Sequence, residues 1–134
     1  MSSLKADLKT QAIAAMQFSH SPYSQKKIGA CVLLSNGKSY SGCNIENASY
    51  GGTVCAERVA IWKAFSENKG EHVTEIYVAS DEATPWPPCG FCRQVLAEFS
   101  KPETLVHLVN LTGIEKTFQF QELLPEAFKP EHLK

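Results

Sequence analysis

The segment at residues 84–88, Thr-Pro-Trp-Pro-Pro, can be neither a helix interior nor a central strand. Each proline lacks a backbone N–H and disfavours helical backbone in the residue before it. The loop ends at Cys89, and the motif Cys-Gly-Phe-Cys then opens a stretch that predicts a helix to about Phe99. Cys89 and Cys92 share one face of that helix, because side chains three positions apart are neighbours there. The sequence therefore predicts two adjacent thiols at the end of a rigid loop.

The rest of the chain alternates predicted strands and helices. Asn36-Gly37 indicates a hairpin, and Thr53 is a plausible N-cap for the helix that follows it. The strands are predicted at residues 28–34, 38–44, 73–79, 105–111 and 115–120, and the helices at residues 4–18, 54–68 and 90–99, with a short helical tail from residue 123. Strands that alternate with helices predict a sheet with helices on both faces. We expect a single domain over residues 1–134.

The charge balance excludes some classes of partner. The formal net charge is −1, with 13 Lys and Arg against 14 Asp and Glu. Nucleic acids and anionic membrane surfaces attract an excess of basic residues, so we expect neither as a partner. The sequence contains no apolar run of the length that a secretory signal or a membrane-spanning helix requires. We therefore expect a cytoplasmic protein.

The five cysteines form a poor disulfide framework, because their number is odd and no export signal is evident. Cys31 and Cys43 fall on predicted strands, where a small buried thiol is the usual explanation. Cys55 precedes Cys89 by 34 positions. Tetrahedral zinc with Zn–S bonds of about 2.3 Å requires sulfurs about 3.8 Å apart, which Cys89 and Cys92 reach by leaning together.

A Cys-x-x-Cys motif alone also fits half of a structural zinc site or a redox pair. A structural site needs a fourth protein ligand, and the four histidines are isolated in the sequence: His20, His72, His107 and His132. Three thiol ligands without an obvious fourth favour one catalytic zinc per chain, with water in the open position.

Two charged residues directly follow Cys55. Glu57 lies in the first helical turn, where it and Cys55 can both reach a site beyond the helix end. A solvated glutamate favoured by the helix dipole is the alternative. Three thiolates on Zn²⁺ leave a net charge of −1, and a guanidinium that donates to a ligand sulfur withdraws part of it. Arg58 therefore fits beside the metal, with a surface ion pair as the alternative.

Asn44 and Glu46 alternate on a predicted extended segment, so both side chains can point the same way. An amide and a carboxylate together suit the hydroxyl groups of a sugar. By composition alone, Asn-Ile-Glu-Asn is more typical of an ordinary loop.

Two motifs together resemble the signature of the zinc cytidine deaminases, in the three-cysteine form of the small homotetrameric members. They are Cys55-Ala56-Glu57-Arg58 and Pro88-Cys89-Gly90-Phe91-Cys92-Arg93-Gln94. Further segments resemble that family in its order: Pro22-Tyr23-Ser24, Gly29-Ala30, residues 42–50 and Glu122-Leu123-Leu124-Pro125. The resemblance implies a three-layer α/β/α sandwich around a mixed sheet of about five strands.

The same resemblance implies roles for single residues. Glu57 would move a proton from the attacking water to ring N3 of cytosine, and then protonate the departing amino group. The amide of Ala56 would hold O2 of the base, and Asn44 and Glu46 would grip the ribose. Residues implied to serve a neighbouring subunit's pocket are Ala48, Tyr50 and Phe128. The expected assembly is a homotetramer with shared active sites.

Two residues depart from the family's pattern. Lys26 stands where the family usually carries an aromatic, and Trp86 stands where a smaller residue is expected. We expect deamination of cytidine and 2′-deoxycytidine to uracil nucleosides and ammonia. A modified cytosine nucleoside or nucleoside antibiotic is the alternative substrate, because both departures bear on the pocket. A zinc-stabilised binding module without catalysis is the alternative from another class.

Overall fold

The computed structural model describes residues 2–134, with side chains from residue 7 onward. Its strands are β1 (Ile28–Leu34), β2 (Ser39–Cys43), β3 (Val73–Ser80), β4 (Ser100–Asn110) and β5 (Glu115–Gln119). Its α-helices are α1 (Ser2–Ala15), α2 (Ala56–Glu67), α3 (Gly90–Phe99) and α4 (Phe120–Leu123). Short 3₁₀ turns lie at Met16–Phe18, Tyr50–Gly52 and Pro130–Leu133.

The five strands form one mixed sheet in the order β2-β1-β3-β4-β5. β3 and β4 are parallel and are joined by α3, whereas the remaining pairs are antiparallel. A parallel pair needs a crossover connection, which α3 and the proline loop provide. This confirms the predicted α/β fold with a mixed sheet of five strands.

Helices cover both faces of the sheet, and each face has its own apolar core. Leu8, Ala12 and Met16 of α1 and the following turn pack against Cys31 and Tyr77 on one face. The other face carries the larger core, in which α2 and α3 pack on residues of β1, β3 and β4. Removing this apolar surface from water is the main force that holds the three layers together.

Two glycines allow the helices to approach the sheet closely. A Cβ atom on Gly29 would lie 1.9 Å from the carbonyl oxygen of Ala12 in α1. A Cβ atom on Gly42 would lie 2.7 Å from the backbone nitrogen of Ala60 in α2. The absence of a side chain at Gly42 therefore sets the position of α2, at whose start Cys55 lies.

Helix α2 begins at Ala56, with Cys55 in the N-cap position. The expectation that Thr53 caps this helix is wrong. Val54 instead exchanges backbone hydrogen bonds with Ile45, which keeps the chain extended up to Cys55. The Thr53 hydroxyl accepts a hydrogen bond from the backbone N–H of Asn47 at 3.1 Å. The N-cap position of α2 is therefore occupied by Cys55 instead of Thr53.

β4 begins at Ser100 instead of residue 105, and its register with β3 shifts between Val73 and Glu75. Pro102 lies in this stretch and cannot donate to the ladder. Thr104 compensates, because its hydroxyl donates to the carbonyl of Val73 at 2.7 Å and accepts from Lys101 N–H at 3.0 Å. The Thr104 hydroxyl therefore links β3 to the irregular start of β4.

None of the helices in the described part of the chain combines the length and apolar character needed to cross a membrane.

Candidate active site

Three cysteines meet where the amino ends of two helices come together. Cys55 occupies the N-cap of α2, and Cys89 occupies the N-cap of α3. Cys92 lies in the first turn of α3, where its backbone N–H donates to the Cys89 sulfur at 3.5 Å. The amino end of a helix carries a partial positive charge, which favours the thiolate form of cysteine.

The spacing of the three sulfurs fits zinc. In the part of the chain with described side chains, the one group able to hold a metal ion is Cys55, Cys89 and Cys92, whose sulfurs lie within 4.8 Å of one another. Cys55 and Cys89 sulfurs are 3.8 Å apart. Tetrahedral Zn²⁺ with bonds of about 2.3 Å places its sulfur ligands about 3.8 Å from each other. The donor set and its spacing therefore suit zinc with one further position for a small ligand.

The thiols are electronically distinct. The pKa of Cys55 is lowered to about 5, chiefly because Cys92 donates a hydrogen bond to its sulfur, with further hydrogen bonds from Arg58 and Cys89. The pKa of Cys92 is raised, because it makes that donation and is buried. Away from the site, burial raises the pKa of Cys31 to about 12 and also raises that of Cys43. Cys55 is thus held toward the thiolate form, which is the form that binds a cation.

Arg58 reaches back to the thiols. Its Nη2 atom donates to the Cys55 sulfur at 3.4 Å. The guanidinium lies over the Phe91 ring at 3.9 Å and near the Trp62 ring at 5.8 Å. Its Nε atom is buried and makes no hydrogen bond to the residues described. The structure therefore places this positive charge against the thiol cluster and away from solvent.

A cavity of about 300 Å³ opens onto the thiol cluster. Cys55 and Cys89 line this cavity, whereas Cys92 is buried behind them. The cavity wall is lined by Ser24, Lys26, Ile28, Asn44, Glu46, Thr53, Val54, Cys55, Ala56, Glu57, Val78, Trp86, Pro87 and Cys89. Its volume is at the lower end of the range for small-molecule sites.

Glu57 lies inside this cavity and is 4% exposed. Its pKa is raised to about 7, mainly because burial penalises the charged form. The structure thus brings the predicted carboxyl group and the predicted thiols to one cavity. Glu57 is therefore not the solvated surface glutamate of the alternative interpretation.

Asn44 and Glu46 both line the cavity, as their alternation predicts. The Asn44 oxygen accepts from Ile28 N–H at 2.9 Å and from the Ser19 hydroxyl at 2.6 Å, and its Nδ2 atom donates to the Lys26 carbonyl at 2.7 Å. An amide oxygen has two lone pairs and an amide nitrogen has two hydrogens. Asn44 therefore keeps one N–H for a ligand and no free acceptor.

Glu46 is held by the loop that contains residues 21–25. One carboxylate oxygen accepts from the backbone N–H groups of Tyr23 and Ser24 at 3.0 and 3.1 Å. The other accepts a short hydrogen bond from the Ser24 hydroxyl. These bonds, led by the Ser24 hydroxyl, lower the pKa of Glu46. Glu46 is thus an oriented, charged acceptor.

Three of the predicted substrate-binding residues do not reach this cavity. Ala48 and Tyr50 lie in the loop before α2, and Tyr50 is 75% exposed and packs edge-on against Tyr23. Phe128 is 55% exposed and stacks on His132 in the C-terminal segment. Because these three residues do not line the chain's own cavity, they remain available to contact another subunit.

Arg93 and Gln94, to which the sequence assigns no definite role, connect the segments around the cavity. Arg93 donates to the Pro88 carbonyl and to the Leu123 carbonyl, both at 2.7 Å. Gln94 donates to the Phe128 carbonyl at 2.9 Å. Arg93 therefore ties the proline loop to the C-terminal segment, and Gln94 fixes Phe128.

Lys26 and Trp86 both line the cavity. Sequence reasoning missed Glu82, the partner of Lys26, whose two carboxylate oxygens each lie 3.2 Å from the Lys26 ammonium. No local signal links residues 56 positions apart in the chain.

Comparison with known proteins agrees with this site. Residues 2–108 match the family model for the cytidine and deoxycytidylate deaminase zinc-binding region. A cytidine deaminase of Halalkalibacterium halodurans is 46% identical over 123 residues, which cover 92% of each chain. A probable cytidine deaminase of Dictyostelium discoideum is 43% identical over 122 residues, or 89% of this chain and 80% of the relative.

Solved structures show the same architecture. The crystal structure of a cytidine deaminase from Burkholderia pseudomallei matches with a TM-score of 0.86 and 41% identity, covering 92% of this chain and 98% of that one. The cytidine deaminase of Mycobacterium tuberculosis matches with a TM-score of 0.79 and 32% identity, covering 92% and 96%. The chain belongs to the zinc-binding cytidine and deoxycytidylate deaminase family.

Proposed function

We propose that this protein is a zinc-dependent deaminase that converts cytidine and 2′-deoxycytidine to uridine and 2′-deoxyuridine with release of ammonia. The observation that carries the proposal is a buried glutamate that faces one cavity of about 300 Å³ together with two thiols of a three-thiol cluster. The named activity of relatives up to 46% identical over most of the chain supports it.

Glu57 performs the proton transfers in this scheme. Zinc, when held by Cys55, Cys89 and Cys92, supplies the Lewis acidity that lets water act as a nucleophile near neutral pH. Glu57 takes one proton from the attacking water and passes it to ring N3. A bond forms between the water oxygen and C4, and the C4–N4 bond breaks. Glu57 delivers the second water proton to the departing amino group, which leaves as ammonia.

Recognition of the nucleoside is assigned to three elements of the cavity. Glu46 is an oriented acceptor for ribose hydroxyls, and Asn44 contributes its remaining N–H. Ala56 lies at the first position of α2, and first-turn amides have no partner within the helix. Its N–H is the proposed donor to O2 of the base.

The proposed assembly is a homotetramer with shared sites, acting in the cytoplasm, with one zinc in each single-domain chain. Support comes from the exposed Tyr50 and Phe128, which lie off the chain's own cavity wall. An exposed aromatic ring is a frequent anchor at a protein interface. Ala48, in the same loop as Tyr50, is proposed to join them.

A modified cytosine nucleoside is the second candidate substrate, because Lys26 and Trp86 both line the cavity. A non-catalytic zinc module is disfavoured by Glu57, since burying a carboxyl group costs free energy and a purely structural zinc site has no role for one.

Ammonia release tests the proposal. The zinc-loaded protein is incubated with a panel of nucleosides, nucleotides, free cytosine, single-stranded DNA and cytidines that carry groups at N4 or C5. We expect release from cytidine and 2′-deoxycytidine. Preferential release from a substituted cytidine favours the second candidate, and no release from any member of the panel contradicts both.

A further inference from the structure

One wall of the cavity is built from the side chains of Lys26 and Trp86, and Lys26 also forms an ion pair with Glu82, outside the lining. The Lys26 ammonium lies 5.7 Å from the centre of the Trp86 ring, within the range of a cation–π contact. The same ammonium lies 3.2 Å from both carboxylate oxygens of Glu82. The side chains of Lys26 and Glu82 are 44% and 24% exposed, so this pair lies at the mouth of the cavity.

The backbone of Lys26 is fixed to the proposed sugar-binding residues. Its N–H donates to the Ser24 hydroxyl at 3.0 Å, and that hydroxyl in turn donates to Glu46. Its carbonyl accepts from Asn44 at 2.7 Å. The lysine side chain therefore starts beside the sugar-binding groups and extends toward Trp86.

The segment that carries Glu82 is anchored from the neighbouring strand. Asn110, at the end of β4 and 2% exposed, donates through Nδ2 to the carbonyls of Glu82 and Ala83 at 3.0 and 3.1 Å. Its Oδ1 atom accepts from the N–H groups of Thr112 and Ile114. Glu82 is thus presented to Lys26 from a braced turn.

The ion pair between Lys26 and Glu82 determines the charge at the mouth of the cavity. Among the described residues that line the cavity, Lys26 is the only one with a cationic side chain. An unpaired ammonium at the mouth of a largely apolar cavity would attract anionic ligands, since field lines concentrate in such clefts. Glu82 supplies the compensating charge from outside the lining.

We propose that Glu82 is a positioning residue that neutralises Lys26 and holds it against Trp86, so that the cavity selects uncharged nucleosides over nucleotides that carry a phosphate. This inference rests on the proposed function, because it assigns the cavity to a nucleoside. Glu82 acts through Lys26 and does not itself line the cavity.

The test is the ratio of two dissociation constants, measured by calorimetry on the zinc-loaded protein. Uridine and uridine 5′-monophosphate serve as probes, because neither carries the amino group that is removed. In Glu82→Gln, affinity for the monophosphate relative to uridine should rise about two- to five-fold at low ionic strength, the scale of one partly exposed charge interaction. The gain should shrink at about 0.5 M salt, where screening is strong.

Four variants separate this effect from alternatives. Glu67→Gln makes the same change in net charge at the end of α2 and should leave the ratio unchanged. Glu82→Asp keeps the charge and should stay near the wild-type ratio. Lys26→Gln should lower the ratio, because it leaves the carboxylate alone. Lys26→Gln combined with Glu82→Gln should return it toward wild type.

An unchanged ratio in Glu82→Gln, or an equal rise in Glu67→Gln or in the double variant, overturns the inference. If Glu82→Gln does not fold, the Lys26→Gln ratio decides alone, and an unchanged or raised value overturns it. Ammonia release from cytidine is measured in parallel on the wild type. Release without the predicted ratios rejects only the role of Glu82, whereas the predicted ratios without release reject only the proposed chemistry.

Discussion

Glu57 combines almost complete burial with a position beside three thiols. Water exclusion raises its pKa to about 7, so neither the protonated nor the charged form dominates near neutral pH. A group that must accept a proton and then return it works best when its pKa lies near the operating pH. The residue is therefore suited to repeated proton transfer.

Replacement of Glu57 by alanine should leave zinc bound and abolish most turnover. A positioned general acid–base group contributes roughly 10²–10⁴-fold to kcat, and Glu57 serves several transfers, so the loss should reach the upper end or beyond. Steady-state kinetics with cytidine and elemental analysis measure the two quantities. Glu67→Ala, at the exposed end of α2, is the control. Activity within tenfold of wild type would remove Glu57 from the mechanism.

Replacement of Cys89 by alanine should remove the zinc almost completely. Two thiols then remain, and the sulfur 3.8 Å from Cys55 is lost. Cys31→Ala and Cys43→Ala are matched controls, because both thiols are buried in the strands, outside the cluster. Metal content by elemental analysis should be one zinc per chain in the controls. Full retention of zinc in Cys89→Ala would contradict the ligand assignment.

At the scale of elements, the site depends on how closely α2 approaches the sheet. Cys55 precedes α2 directly, so any displacement of that helix moves a sulfur relative to α3. The contact that sets the approach is Gly42 of β2 against Val59 and Ala60 of α2. Packing at the edge of the sheet thereby controls sulfur spacing.

Replacement of Gly42 by alanine should destabilise the protein and weaken zinc binding. The new Cβ atom would lie 2.7 Å from Ala60 N and 2.8 Å from Val59 Cβ, and overpacking of this kind costs about 1–3 kcal/mol. Urea denaturation and competition with a chelator measure the two effects. Gly51→Ala is the control, because no atom lies within 4 Å of its Cβ position. Equal stability of the two variants would contradict the packing argument.

The sequence predicted those parts of the site that depend on local geometry. Cys89 and Cys92 lie one helical turn apart, and Asn44 and Glu46 alternate on an extended segment, so short-range periodicity places each pair. Glu82 was not predictable, because its contact with Lys26 depends on the order of strands in the sheet, which periodicity does not encode. The N-cap at Cys55 was missed because the bridge between Ile45 and Val54, which keeps the chain extended up to Cys55, has no signal in the local sequence pattern.

At the scale of the whole molecule, several aromatic side chains lie exposed around the site. Tyr50 and Phe128 do not line the chain's own cavity, and the exposed rings of Trp62 and Phe91 flank Arg58. Exposed aromatic side chains are frequent anchors at protein interfaces. The proposed site completed by a second chain would account for the exposure of Tyr50 and Phe128.

Mixed oligomers test this proposal. Glu57→Ala chains lack the proton carrier, and Phe128→Ala chains should lack a ring that the adjacent site uses. Mixing the two should restore part of the activity, because some sites then combine an intact Glu57 with an intact Phe128 from the neighbour. Glu57→Ala mixed with Cys89→Ala should recover nothing, since each defect lies in its own chain's cavity. No recovery in the first mixture despite verified subunit exchange would count against shared sites.

The loop between Ser80 and Cys89 is pinned at each end by a residue outside it. Asn110 holds its first turn through two carbonyls, and Arg93 holds its last residue through the Pro88 carbonyl. Of the residues between these two anchors, Trp86 and Pro87 line the cavity, and neither belongs to the thiol cluster. Residues in the middle of this loop can therefore be substituted, by evolution or by protein engineering, while its two anchored ends and the metal-binding helix keep their positions. Substitutions at Trp86 are therefore expected to reshape the cavity wall without moving either anchor or the metal-binding helix.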